Sequence, residues 1–216
     1  MPRTAAAAAM TEITTETQRL VLASGSAARR AMLEAAGVAF EAIPADVDER
    51  GIRDGLLAAS AGVPRSRIAE ALARAKAEKV SADNPDALVI GSDQILAFGD
   101  EIFDKPATLE EARASLVKLR GAGHALHSSV ALAQSGTCTW VATQSAELNM
   151  RNFSDVALEA YLARVGSSIL GSVGAYQIEG PAIQLFDRVK GCHFTILGMP
   201  LLPLLAELRA REVLQS

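Results

Sequence analysis

LVIGSDQILAFGDEIFDKP, residues 88–106, is the stretch whose reading decides the fold. Ala87 to Ile90 is an apolar run of the kind that is buried on both faces of a sheet. Gly91 and Ser92 interrupt it and deliver one acid, Asp93, at its end. A second apolar run, Ile95 to Phe98, leads through the turn Gly99-Asp100 into Glu101-Ile102-Phe103, and the hairpin closes on Asp104-Lys105-Pro106. The pattern predicts a carboxylate at the end of one buried strand and a lysine, Lys105, at the end of the next. Both then face one cleft, where ligands of open α/β sheets bind. The competing reading is an ordinary hairpin whose charges are simply solvated.

Upstream, Arg19 to Ala23 reads as a short strand running into Ser24-Gly25-Ser26, followed by the helix formers Ala27 to Ala36 and a stop at Gly37. Strand, small-residue loop and helix start make a phosphate site, because N–H groups at a helix N-terminus point at an anion and Arg29 adds charge. Ser26 alone can equally be just the N-cap. Val38 to Ile43 reads as a second strand that exits into Asp46, Asp48 and Glu49, either a solvated edge or a divalent-metal site. Residues 51–62 read as loop with a short helix. Ser66 to Ala82 is a helix with Ile68, Leu72 and Ala75 on one face; Lys76 either reaches the cleft or stays at the surface.

Downstream, Thr108-Leu109-Glu110-Glu111 is a capping box opening a helix that runs through Leu119. His124 to Gln134 and Cys138 to Met150 read as a strand pair. His124 and His127, three apart on a strand, point to opposite faces and so do not form a metal pair. Ser154-Asp155 caps a helix to Val165, and residues 166–174 are loop. Ile183 to Val189 and His193 to Leu197 read as another strand pair around Lys190-Gly191. Pro200 to Val213 is a closing helix with Leu201, Leu204, Leu205 and Leu208 inward.

The whole-chain totals narrow the class. With 216 residues the chain can bury a full core without staples, and its 50% apolar and 21% charged residues are those of a soluble globular protein. A net charge of −4 gives no sign of a nucleic-acid or membrane partner, so a polyanionic ligand must be met by a local cluster of Lys and Arg. Cys138 and Cys192 form neither a disulfide framework nor a metal pair, which points to reduced thiols and a cytoplasmic setting. No apolar run approaches the roughly 18 residues of a membrane span. Residues 1–18 lack the long apolar core of a signal peptide and read as a disordered leader, with Met10 as an alternative start.

Taken together the pieces resemble the Maf family of nucleoside triphosphate pyrophosphatases, from Leu20 to about Arg209. LASGSAARR is similar to the family's phosphate loop, Val47-Asp48-Glu49 to its acidic strand exit, and Ala75-Lys76-Ala77 to its helix lysine. IGSDQ and DKP fit its central hairpin, GHALHSSVAL the next strand, and VGAYQIEG and KGCHFTILGMPLLPLL its last two signatures. Three departures stand out. Ala27-Ala28-Arg29 replaces Pro-Arg-Arg, so the first arginine is missing. Gln94 follows Asp93 where one branch has Thr, and Glu179 stands where that branch has Gln. Gln94 with Glu179 looks more like the branch associated with 7-methyl-GTP than the one associated with dTTP and UTP, although that branch often has Trp at the place of Ala28.

The resemblance implies a single two-lobed α/β domain over residues 19–216, with a central mixed β-sheet flanked by helices, similar to inosine triphosphate pyrophosphatases. It implies hydrolysis of a nucleoside triphosphate to the monophosphate and pyrophosphate. Asp93 would orient or deprotonate the water, and Glu49 with Asp93 would hold Mg²⁺ or Mn²⁺. Ser24, Ser26 and Arg29 would cradle phosphates, Lys76 and Lys105 would balance charge on the leaving pyrophosphate, and Gln94 and Glu179 would face the base. By analogy a homodimer is allowed. The rival from another class is a non-enzymatic nucleotide-binding regulator of septum formation. A phosphatase or nucleotidyltransferase on a similar scaffold is separated by its products.

Overall fold

The computed structural model describes residues 18–60 and 62–215, so the leader expected over residues 1–18 lies outside them except for Gln18. Among the described residues seven strands form one sheet: β1 (Leu20–Leu22), β2 (Glu41–Ala42), β3 (Leu88–Phe98), β4 (Glu101–Phe103), β5 (Gly123–Gln134), β6 (Thr137–Met150) and β7 (Phe186–Lys190). The order is β2-β1-β3-β5-β6-β7, with β4 also on β3. β1 is parallel to β2 and β3, and the other pairs are antiparallel. The helices are α1 (Ala27–Ala35), α2 (Glu49–Ala59), α3 (Arg65–Asp83), α4 (Leu109–Leu119), α5 (Asp155–Val165), α6 (His193–Ile196) and α7 (Leu201–Ala210). This is the expected mixed sheet flanked by helices.

The central strand differs from its reading. Gly91-Ser92 does not end it; β3 runs unbroken from Leu88 to Phe98, and Asp93 sits in its middle. Gly91 marks a close approach instead. A Cβ there would lie 2.2 Å from the Ala73 carbonyl oxygen and 2.6 Å from the Ala77 nitrogen of α3. The strand continues because β5 pairs with it from Val89 to Ala97.

β3's other edge is interrupted. β1 ends opposite Ile90, and β4, running back along the same side, ends opposite Leu96. Over residues 91–95 that edge has no strand neighbour among the described residues, and there the cleft opens.

Side chains alternate along a strand, and this alternation divides the sheet's two faces. On one face Val89, Gly91, Asp93 and Ile95 lie under α3, whose Ile68, Ala69, Leu72, Ala73 and Ala77 are buried. On the other, Leu88 and Ile90 join Val130 and Leu132 in a core closed by Met32 and Leu33 of α1 and by Leu201, Leu204 and Leu208 of α7. Further along the same face Leu96, Leu126 and Leu148 join a second core with Ala112, Leu116 and Leu119 of α4 and Leu158 and Leu162 of α5. Each fully buried leucine contributes about 2 kcal/mol. Between the two cores Ser92, Gln94 and Ser128 form a polar belt. Its groups bond to the carbonyls of Thr195, Ile196 and Gly198. Two apolar cores and the polar belt between them are the physical content of the two lobes.

Other departures are local. The expected strand at residues 38–43 shrinks to β2. Residues 51–59 belong to α2, which Asp48 caps by accepting from the Gly51 N–H at 2.9 Å. His193–Leu197, read as a strand, contains the single helical turn α6, entered after Gly191 at φ +141°. The Ile183 end of the last strand is a 3₁₀ turn over Pro181–Leu185. α1, α3, α4 and α5 form where expected; Thr108 accepts from the Glu111 N–H and Ser154 from the Ala157 N–H. No described helix is long and apolar enough to cross a membrane.

Candidate active site

The break in the β3 edge opens into a cavity of about 390 Å³. Asp93 enters it from the α3 face and Gln94 from the opposite face, which neighbouring residues on a fully paired strand would not do. α3 brings Lys76, whose Nζ lies 2.5 Å from Asp93 Oδ1 and 2.8 Å from Glu49 Oε1. Glu49 comes from the first turn of α2, at whose N-terminus a carboxylate is favoured. Lys76 and Asp93 are 8% and 6% exposed, so this ion pair is desolvated and breaking it would strand a buried charge. Burial pushes the Asp93 carboxyl above its usual range, opposed by the charges of Lys76 and Arg29. A carboxylate so raised is a better proton acceptor near neutral pH.

The loop after β1 supplies Arg29 and Ser26 to the cavity wall. Ser26 caps α1 by accepting from the Arg29 N–H at 3.4 Å. The Arg29 guanidinium is held from behind: Nε donates to the Gly198 carbonyl at 3.0 Å and Nη1 to Ser24 Oγ at 3.2 Å. Ser24, expected in the cleft, is not part of its wall. It is buried behind Arg29, where its hydroxyl also accepts the Ser26 N–H at 3.2 Å. Its neighbour Gly25 is solvent-exposed.

Gln94 is fixed by its amide nitrogen, which donates to Ser128 Oγ at 3.0 Å and to the carbonyls of Thr195 and Ile196 at 3.1 and 3.0 Å. With the NH₂ group committed, Gln94 presents its Oε1 as an acceptor. Glu179 and Lys105 both line the cavity, so Ser26, Arg29, Glu49, Lys76, Asp93, Gln94, Lys105 and Glu179 converge from six separate chain segments. Lys76 and Arg29 lie near Asp93 and Glu49, and Leu126, Val173, Tyr176, Ile178 and Ile196 supply apolar wall.

Sequence reasoning missed three contributors. Arg50 and Arg53 reach the cavity from α2, and Arg53 Nη1 pairs with Asp104 Oδ1 at 2.6 Å, tying α2 to the end of the hairpin. Their signal was present: Asp48 as a cap and Ile52 and Leu56 four apart describe a helix that places Glu49 and Arg53 on one face. Tyr176, quoted only as part of a signature, forms wall.

Asp93 and Glu49 both reach the Lys76 Nζ, and their carboxylate oxygens are the hard donors that suit a Mg²⁺ or Mn²⁺ arriving with phosphates, since such ions keep few protein ligands. Among the described residues no group of three or more His, Cys, Asp or Glu stands together as a self-sufficient metal site. His124 and His127 make separate bonds, to Tyr176 and Ser145.

A nucleoside triphosphate pyrophosphatase of Granulibacter bethesdensis is 50% identical over 196 residues, 91% of this chain and 98% of that protein. A 7-methyl-GTP pyrophosphatase of Brucella abortus is 48% identical over 200 residues, 93% of this chain and all of that protein. Another 7-methyl-GTP pyrophosphatase, from Mesorhizobium japonicum, is 49% identical over 193 residues, 89% and 96% of the two chains. The family model described as Maf-like protein matches residues 19–211, and the chain therefore belongs to the Maf-like protein family.

Proposed function

We propose that this protein hydrolyses nucleoside triphosphates to the monophosphate and pyrophosphate, with a purine-type base of the 7-methyl-GTP class preferred over dTTP and UTP. The observation that carries the reading is one cavity whose wall joins Arg29, Lys76 and the buried Asp93 with apolar side chains and a further carboxylate, Glu179. In this reading Arg29, with Ser26 at the start of α1, binds phosphate oxygens. Ser24 serves by orienting Arg29 from behind.

Asp93 positions a water beside the anhydride and takes its proton, a role its raised proton affinity suits. The new bond joins the water oxygen to the α-phosphorus, and the bond to the bridging oxygen breaks. The electron pair leaves with pyrophosphate, whose charge Lys76 and Lys105 offset. Glu49 and Asp93 would hold the divalent cation, which, when bound, neutralises phosphate charge and polarises the anhydride. Gln94 offers an acceptor and Glu179 a carboxylate able to take two N–H donors from a guanine edge. The names of the relatives support both the reaction and the base class.

The test is a panel of nucleoside triphosphates with Mg²⁺ or Mn²⁺ and separate detection of pyrophosphate and orthophosphate. The expected product is pyrophosphate. Asp93→Asn is expected to keep nucleotide binding while kcat falls by about 10²-fold or more. Orthophosphate release, or near-normal turnover in Asp93→Asn, would refute the mechanism.

A further inference from the structure

The wall that carries Tyr176 and Glu179 is built at a cost. The turn before Tyr176 has Gly174 at φ +76° and Ala175 at φ +59°, and the second is a left-handed conformation that a residue with a Cβ adopts only when its surroundings hold it there. A Cβ on Gly174 would fall 2.5 Å from Leu96 Cδ1 and 2.7 Å from Tyr176 Cε1, so the Tyr176 ring occupies the space a larger residue would need. Two hydrogen bonds hold the turn from behind. His124 Nε2 and the Tyr176 hydroxyl are 2.7 Å apart, and the Tyr161 hydroxyl donates to the Ala175 carbonyl at 3.1 Å.

A second cost sits on the first of these bonds. His124 is buried, and its Nδ1 finds no partner among the described residues. An unpaired buried nitrogen lowers stability, and an apolar residue there would avoid the penalty. Burial also pushes the imidazole down to about 4, so at neutral pH the ring is uncharged. Phe186 packs on both rings, with centroids 5.0 Å from Tyr176 and 6.1 Å from His124. Strain at Ala175 and an orphan nitrogen on His124 thus converge on one turn, and what that turn delivers is Tyr176 and, three residues on, Glu179, both in the cavity wall.

We infer that His124 and Tyr161 are positioning residues, which lock the strained Gly174–Ala175 turn so that Tyr176 and Glu179 form a rigid base-side wall. Selectivity among bases then depends on hydrogen bonds that touch no substrate. The inference rests on the nucleotide reading of the cavity given above. It separates two parts of the site, since Arg29, Lys76 and Asp93 make their bonds to groups outside this turn.

Tyr176→Phe keeps the ring and removes the hydroxyl, and Tyr161→Phe removes the other bond. The measurements are calorimetric affinities for guanosine monophosphate, uridine monophosphate and inorganic tripolyphosphate, with KM and kcat for the matching triphosphates. Tyr176→Phe is expected to weaken guanosine monophosphate about tenfold, as loss of one buried hydrogen bond predicts, and to narrow the guanosine-to-uridine preference by a similar factor. KM rises more than kcat falls, and tripolyphosphate affinity stays within about twofold. Tyr161→Phe shifts the preference in the same direction. An unchanged preference in both variants, even with lowered Tm, overturns the inference by assigning the bonds to stability alone. Equal weakening of tripolyphosphate also overturns it. A wild type that turns over no nucleoside triphosphate sinks the proposed activity while the monophosphate arm still decides the wall, and a wild type that binds no monophosphate overturns the inference.

Discussion

Replacing Gly91 by alanine tests whether the site depends on how closely α3 lies on the sheet. The added Cβ would meet the Ala73 carbonyl oxygen at 2.2 Å, the Ala77 nitrogen at 2.6 Å and the Ala77 Cβ at 2.8 Å. Two of these atoms are helix backbone, which cannot rotate away. Ordinary contacts of this kind stay above 3.0 Å, so strand and helix must part by about 1 Å. Overpacking of that kind costs about 1–3 kcal/mol. For a chain of 216 residues this corresponds to a Tm lower by about 2–12 °C. The displaced turn of α3 carries Lys76, which sits between Asp93 and Glu49. A 1 Å shift of a positioned group can lower turnover by about 10²-fold. Differential scanning calorimetry and pyrophosphate release, measured on the same preparation, give both numbers. A Tm within 1 °C of wild type (roughly 0.3 kcal/mol) together with kcat within about twofold would refute the argument.

Two further outcomes follow from the structure. His124 has its folded value pushed down from 6.5 to about 4, so between these pH values the unfolded chain binds the extra proton and stability falls as pH drops; the contribution between pH 7 and 4.5 is about 2 kcal/mol. Asp93, raised by burial, acts with the opposite sign, so the measurement is the difference between wild type and His124→Gln in urea unfolding at the two pH values; a difference that does not change with pH would refute it. Glu179→Gln removes one acceptor oxygen from the cavity wall and is expected to lower kcat/KM for GTP relative to UTP by about tenfold. An unchanged ranking across GTP, 7-methyl-GTP, dTTP and UTP would show that Glu179 does not read the base.

Much of this arrangement was legible in the chain itself, for reasons that differ by element. The loop Ser24-Gly25-Ser26 and helix α1 could be read because apolar run, small residues and helix formers follow one another without interruption. α3 was readable from its periodicity, although nothing local said that Lys76 would be buried. That depends on α2 and β3 closing over it.

Asp93 reads as a strand end because Gly91-Ser92 carries the signature of a break, whereas the close contact with Ala73 that makes Gly91 necessary comes from 18 residues upstream. Residues 51–62 read as loop with only a short helix because Gly51 and Gly55 are weak helix formers, whose effect is overridden by the Asp48 cap and the packing of Ile52 and Leu56 on α3. The short stretch at His193 could not be typed, because an apolar run of that length fits a strand or a buried helical turn equally well. Ser24 lies one layer further back than the loop pattern implies, since its bond to Arg29 exists only once the loop folds.

The interrupted outer edge of β3 has one more consequence. The length of the opening is set by register: β1 stops opposite Ile90, and β4, coming back from the turn, stops opposite Leu96. At about 3.3 Å per residue the free edge between them is roughly 17 Å long. Sliding β4 by two residues toward Ile90 would keep every side chain on its own face, yet shorten that opening by about 7 Å. The two-residue turn Gly99-Asp100, with Gly99 at φ +59°, holds β4 against such a slide. The hairpin turn, which carries none of the residues lining the cavity, thereby acts as the gauge that fixes how long a molecule the cleft can admit.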